Sequence, residues 1–289
     1  MKFSLMTTTM VVDLLIELKK GSAKEKIDAE YAAMLQMAAR LGIPAVEVTS
    51  IEAELFGLET VQELLKKNHL EAGGFVHMDQ YACTDAERGK EIIALAKKRI
   101  EDAAALGTDN LMLALMAQED AAEYSREELT AALIRTIRPI AEYGKQVGVM
   151  VSVEDTPDIR LPVCDTNDIK TLLDAIPELY LTYDSGNMLL KNDNPIPFLK
   201  TFRDRVCHVH LKDMAYADDG DIDVNGRFLT GCMHGEGMVD FAEIGTFLRD
   251  AGYNGYAVIE YVGHDNHEAR IRDAMIYLDK MMRQGESML

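Results

Sequence analysis

Short, predominantly apolar runs alternate with longer segments of helical period along this chain, and the cycle repeats to the C-terminus. The apolar runs occupy residues 3–9, 45–49, 71–77, 110–115, 149–154, 180–184, 206–211 and 256–260, which predicts eight strands. The first is followed by a turn leading to Ser22. Helices are predicted over 22–40 before Gly42, over 84–106 before Gly107, and up to Val147 before Gly148. Ser125 opens the last of these with Glu128 three residues on, a capping-box spacing. Asp240 is placed to cap another helix that ends near Gly252, and a final one covers 268–283. Strands separated by helices of this length require crossover connections, hence right-handed βαβ units and a parallel sheet. No Pro/Gly/Ser-rich linker divides the units, so the economical fold is α/β, one closed (β/α)8 TIM barrel over residues 1–289. An open doubly wound sheet is the alternative, but the first turn lacks the GxGxxG of a dinucleotide fold.

Composition narrows the partners. Against 30 Lys+Arg stand 49 Asp+Glu, a formal net charge of −19. Phosphate binding needs clustered basic residues, and those present are interleaved with acids, so nucleic acid is excluded as a partner. No apolar run reaches the length of a membrane span, and Asp13 and Glu17 interrupt the N-terminal one. Cys83, Cys164, Cys207 and Cys232 form no CxxC pair, so no zinc knuckle or redox dithiol is signalled. Their low density suits a cytoplasmic protein.

Barrel chemistry belongs at the C-terminal ends of the strands. Strand five ends VMVSVEDTP, strand six LYLTYDSGN, strand seven VCHVHLKD and strand eight YAVIEYVG, placing Glu154, Asp184, His210 and Glu260 at four consecutive ends. A carboxylate buried after an apolar run is costly unless paired, hydrogen-bonded or bound to metal. Each residue alone has a plainer role: Glu154 or Glu260 paired with Lys212, Asp184 capping the turn before Gly186, His210 a satisfied core histidine. Together, three carboxylates and one imidazole form an oxygen-rich ligand set for one divalent ion. It suits Mn²⁺ or Mg²⁺ best, and accommodates Co²⁺, Fe²⁺ or catalytic Zn²⁺.

At these residues the sequence resembles the sugar isomerase/epimerase superfamily, the xylose-isomerase-like TIM barrels, whose members include ketose 3-epimerases and inosose dehydratases. VEDTPD, YDSGN, HVHLKD, the 235–240 segment GEGMVD and AVIEY carry the resemblance. It covers the second half of the chain closely and the first half through the strand–helix rhythm. It implies that Glu154, Asp184, His210 and Glu260 are the ligands of a single metal, with the two glutamates also placed for proton transfer. Many relatives follow the aspartate with Gly-His, whereas Asn187 stands here. An amide can bind a substrate hydroxyl but cannot shuttle a proton as imidazole does. His208, on the same strand face as His210, is read as a packed or supporting residue. An apurinic-site endonuclease branch of the superfamily uses a dense histidine cluster; His77, His210 and His234 do not reproduce it, and the charge is wrong for DNA.

The resemblance implies isomerisation or epimerisation of a carbohydrate by loss of a proton next to its carbonyl. The metal stabilises the enediolate, and Glu154 and Glu260 act as base and acid from opposite sides. Lys212 is placed to orient a hydroxyl or stabilise an oxyanion, with a salt bridge to Asp213 or Glu236 as the plainer role. Glu236 in the 214–238 mouth loop, His77, and Glu47 as a lone acid in an apolar run are further candidate substrate contacts. Met6, Met78, Met116, Met188, Met214, Met233 and Met238 fall near strand ends or this loop. They form either core filler or a subunit contact, or else an adaptable wall for a substrate greasier than a free sugar. The second option suits a lyase related to this superfamily that cleaves C-glycosides of 3-oxo sugars, and inosose dehydration is a further lyase alternative. A non-catalytic sugar-binding barrel is the alternative of another class. The family resemblance further implies a homo-oligomer, dimer or tetramer.

Overall fold

In the computed structural model, which describes residues 1–283, the apolar runs pair as parallel strands. In chain order the elements are β1 (Lys2–Met6), α1 (Thr8–Lys19), α2 (Lys24–Arg40), β2 (Ala45–Thr49), α3 (Ser50–Phe56), α4 (Leu58–Lys67), β3 (Glu71–Asp79), α5 (Ala86–Leu106), β4 (Asn110–Leu115), α6 (Arg126–Val147), β5 (Met150–Glu154), α7 (Thr166–Ala175), β6 (Leu179–Asp184), α8 (Pro195–Phe202), β7 (Val206–Leu211), β8 (Asp213–Ile222), β9 (Phe228–Cys232), α9 (Phe241–Asp250), β10 (Tyr256–Ile259) and α10 (His267–Met282). Strands β1 to β7 and then β10 close a parallel barrel, with Leu5 of β1 opposite Ile259 of β10 at the seam. The predicted (β/α)8 TIM barrel is therefore the fold.

Local chemistry explains the helix ends. Ser125 and Glu128 form the expected capping box on α6, and the Asp85 and Asp240 carboxylates accept backbone N–H bonds at the starts of α5 and α9. Gly107 and Gly148 end α5 and α6 in the left-handed region, at φ 82° and 87°. Between the barrel and its helices lies the main core, with Leu5, Val48, Phe75, Leu111, Val151, Leu181 and Val209 meeting Ile27, Ile92, Ile137 and Leu172.

One predicted element is corrected. Residues 7–19 are not strand and turn: β1 stops at Met6 and α1 occupies Thr8–Lys19. The β-branched run TTTMVV favours strand locally. Met10, Val11, Leu14 and Leu18 nevertheless recur at helical spacing and pack on the core, and that packing decides the outcome. The 214–238 stretch contains no helix. Most of it is a β8–β9 hairpin standing on the end of β7, with Met188 and Met214 buried at or beneath it. No helix among the described residues is long and apolar enough to cross a membrane.

Candidate metal centre

Four strand ends deliver the predicted ligands to one place. Glu154 ends β5, Asp184 ends β6, His210 is next to last on β7 and Glu260 directly follows β10. Asp184 and His210 lie opposite each other in the β6–β7 register. One ligand atom from each of the four residues falls within 4.8 Å of the others. Asp184 and His210 are fully buried, whereas the side chains of Glu154 and Glu260 keep 14% and 17% exposure at the mouth.

The donor atoms converge without satisfying one another. His210 Nδ1 lies 2.6 Å from Glu154 Oε1 and 3.7 Å from Glu260 Oε2. Yet neither Nδ1, Glu154 Oε1 nor Asp184 Oδ2 has a hydrogen-bond partner of proper geometry. The other Asp184 oxygen is used locally, accepting the N–H groups of Gly186 and Asn187 at 2.7 Å. Buried donors and acceptors are rarely left open in this way, and three of them facing one point fit a cation.

Charge points the same way. The Lys212 ammonium lies 2.5 Å from Glu260 Oε1 and 3.9 Å from Asp184 Oδ2. Burial opposes its charge, but Asp184, Glu260 and Glu154 outweigh that and raise its pKa. Asp184 is itself pushed up by burial, against the pull of Lys212. With the three carboxylates ionised and His210 neutral at Nδ1, one ammonium leaves an excess of two negative charges, which one divalent ion would neutralise. A fourth acid, Asp155, is fully buried with neither carboxyl oxygen partnered. Burial first, then Asp184 and Glu154, push its pKa well up.

Of the other predicted contacts, the structure gathers some and separates others. Asn187 is 2% exposed; its amide nitrogen donates to the Asp155 carbonyl at 2.9 Å and its oxygen accepts from Lys212 Nζ at 2.9 Å. Its amide thus holds the lysine. Lys212 pairs with neither Asp213 nor Glu236 but reaches the ligand cluster. Gly186 gives the lysine passage, because a Cβ there would meet Met214 Cγ at 2.7 Å and Lys212 Cγ at 3.1 Å. Glu236 is exposed, on a segment tied down by the buried Asp213 carboxylate. That carboxylate accepts from the N–H groups of Gly235, Gly237 and Val239 at 2.8, 3.0 and 3.2 Å.

Glu47 and His77 differ from the expectation that they contact substrate at the mouth. Glu47 is fully enclosed, its Oε1 2.9 Å from His208 Nε2 and 3.0 Å from His210 Nε2. Burial works to raise its pKa, but the two imidazoles outweigh it and hold the carboxyl low. For His210 the balance is reciprocal: burial opposes charge, while Glu47 and Glu154 favour it and raise the pKa. His77 faces the helix layer, with Nδ1 2.9 Å from Ser50 Oγ and its ring edge-on to Tyr81. Burial, then the Arg99 guanidinium, push it down to about 4.

Two contributors escaped the sequence reading, whereas His208 is packed beside His210 as expected, against Glu47. Asp155 was signalled only by the paired acids of VEDTP. Ser185 left no signal: its Oγ donates to the Lys212 carbonyl at 2.7 Å and accepts from the Lys212 N–H at 2.8 Å.

With this geometry in place, comparison with known proteins is specific. Residues 35–281 match the family model of the xylose isomerase-like TIM barrel. The inosose dehydratase of Lacticaseibacillus casei is 31% identical over 88 residues, a stretch that is 28% of this chain and 29% of that protein. The chain thus matches under a third of that relative's length. The D-psicose 3-epimerase of Clostridium cellulolyticum H10, solved with D-tagatose, superposes with a TM-score of 0.72 at 15% identity, over 87% of this chain and 93% of the other. The IOLI protein with a zinc atom gives 0.73 at 16% identity, over 97% and 99%. At such identities the superpositions establish the fold alone.

Proposed function

The chain belongs to the xylose isomerase-like TIM barrel family, and from that premise we propose a divalent-metal-dependent enzyme that abstracts a proton next to the carbonyl of a sugar or sugar derivative. The observation that carries this reading is the convergence of Glu154 Oε1, Asp184 Oδ2 and His210 Nδ1, all buried and without a well-formed hydrogen bond, with Glu260 within reach. Glu154, Asp184, His210 and Glu260 hold the ion; the oxygen-rich set favours Mn²⁺, with Mg²⁺, Co²⁺, Zn²⁺ and Fe²⁺ as alternatives. Such an ion supplies Lewis acidity to a carbonyl and a neighbouring hydroxyl.

The chain's own residues supply the rest. Glu154 and Glu260 are the partly accessible members of the cluster. One takes the proton α to the carbonyl, and the other returns a proton to the opposite face, which inverts that carbon. Lys212, held by Asn187 and Glu260, directs its N–H groups toward the oxygen that gains negative charge. Glu236, on the segment held by Asp213, is the mouth-loop contact for a sugar hydroxyl. The test is solvent deuterium: candidate ketoses should take up one deuteron α to the carbonyl when Mn²⁺ is supplied, and Glu154→Gln and Glu260→Gln should each abolish uptake. Tight sugar binding without exchange under Mn²⁺, Mg²⁺ or Co²⁺ would leave a binding protein and sink the enzyme reading.

A second reading is dehydration, favoured by the similarity to an inosose dehydratase. The same proton abstraction is then followed by cleavage of the C–O bond one carbon further on. The hydroxide leaves with a proton as water, and a double bond remains. An inosose that loses one water separates this outcome from epimerisation, which conserves mass.

A further inference from the structure

Below the ligand cluster lies a polar arrangement that the proposed proton transfers do not use. Glu47, His208 and Gly74 meet inside the barrel, far apart in sequence and shut off from solvent. We propose that Glu47 is a positioning residue for the metal centre: one carboxylate oxygen, shared by His208 and His210, holds the His210 ring with Nδ1 toward Glu154, Asp184 and Glu260. The inference rests on the metal reading above and assigns Glu47 a part that a substrate contact does not have.

Three observations carry it. First, the two Nε2 atoms lie 2.9 and 3.0 Å from the same Glu47 Oε1 in hydrogen-bond geometry. When Nε2–H of an imidazole donates to a carboxylate, Nδ1 is left as the coordinating atom, and the anion strengthens it as a ligand. His210 Nδ1 is the atom that is buried, without a well-formed hydrogen bond, and 2.6 Å from Glu154. Second, Glu47 is 0% exposed, so no substrate reaches it. Third, the surrounding backbone makes room for the group. The β2–β3 register slips between Val46 and Glu47, from Val46 opposite Ala72 to Glu47 opposite Gly74. A Cβ at residue 74 would lie 3.0 Å from His208 Nε2 and 3.2 Å from Glu47 Oε1, so a side chain there would displace the pair. His208 in turn keeps the carboxylate from swinging to another donor.

Metal-stripped protein titrated with Mn²⁺ and followed by electron paramagnetic resonance tests this directly, with the visible spectrum of the Co²⁺ form reporting ligand geometry. Glu47→Ala should weaken Mn²⁺ binding by roughly 10–100-fold and alter the Co²⁺ spectrum. Glu47→Gln, which keeps an acceptor oxygen, should lose less. Gly74→Ala serves should Glu47→Ala not fold, and should weaken binding by crowding the same pair. Glu52→Gln removes a different buried acid, at the start of α3, and should leave the Mn²⁺ constant unchanged. If folded Glu47→Ala or Gly74→Ala binds Mn²⁺ within twofold of the parent with an unaltered Co²⁺ spectrum, the positioning role is overturned while the metal site stands. A parent that binds no divalent ion overturns both.

Discussion

On β5, β6, β7 and β10 the polar side chains at the strand ends converge on the mouth, whereas on β2 and β3 Glu47 and His77 turn to protein partners, two interior imidazoles in one case and Ser50 with Tyr81 in the other. Both regions belong to one parallel barrel with the same alternation of strand and helix. Both leave buried atoms without a hydrogen bond, Glu47 Oε2 and His77 Nε2 among them; what separates them is that the later strands gather ligand atoms of four residues within 4.8 Å, while Glu47 Oε1 already answers two imidazoles. In the later strands Glu154 Oε1, Asp184 Oδ2 and His210 Nδ1 remain open. In the earlier ones Glu52, at the start of α3, is answered by protein: it accepts from the Thr49 N–H, the Thr7 hydroxyl and the Tyr31 hydroxyl at 2.6, 2.9 and 3.0 Å. An unmatched buried donor set costs stability unless a ligand completes it, so the later strands are where a ligand is expected to act.

The strongest way to break that contrast is Asp184→Asn. The variant removes a fully buried ligand while keeping its shape, and it should lose Mn²⁺ affinity by more than the roughly 100-fold that marks the upper range for supporting residues. Titration by electron paramagnetic resonance reads this. Near-parental affinity in Asp184→Asn would erase the distinction between the two regions.

The earlier strands should respond through stability instead. Burial lifts Glu52 from an ordinary 4.5 to about 7, against the pull of its hydrogen bonds. Its folded-state value lies above the unfolded one, so its stabilising contribution is complete below pH 4.5 and is lost as pH rises through 7. The change amounts to something on the order of 3 kcal/mol. Urea denaturation at pH 5 and pH 8 should therefore show Glu52→Gln flattening the pH dependence by about that much. An unchanged slope would mean that Glu52 is ionised throughout.

The metal centre should have its own, opposite pH response. A cation must displace any proton on His210 Nδ1, and Glu47 and Glu154 raise the pKa of that imidazole well above the usual histidine range. Mn²⁺ affinity should accordingly fall on acidification from neutral pH, by up to about tenfold per pH unit for one displaced proton. A flat profile between pH 6 and 8 would remove His210 from the ligand set.

How much of this was legible follows the same division. The barrel shows in the strand–helix rhythm because a parallel sheet needs its crossovers, and the four candidate ligands show because a polar residue ending an apolar strand is conspicuous. Glu47 was conspicuous for the same reason, but its partners were not, since only closure of the barrel brings β2 to His208 and His210, 161 and 163 residues away. His77 ends the predicted third strand, but β3 runs on to Asp79, so the residue lies inside the strand and its side chain meets Ser50 and Tyr81. Helices α7 and α8, ten and eight residues long, left too little period to be recognised.

The smallest expected effect is also the sharpest test of which face His77 serves. At pH 8 the imidazole is neutral both folded and unfolded, so His77→Phe removes little more than the bond to Ser50 and should cost about 1 kcal/mol. Because the folded value is held down at about 4, the stability the parent gains from this residue is complete above its ordinary 6.5 and drains away as pH falls toward 4. The deficit of His77→Phe should therefore shrink or reverse by pH 5. Its exposure of only 4% and the helix-side contacts also require that Mn²⁺ affinity and the KM for an exchanging sugar stay at parental values. A KM raised tenfold with stability intact would return His77 to the substrate site and place part of that site in the first half of the barrel.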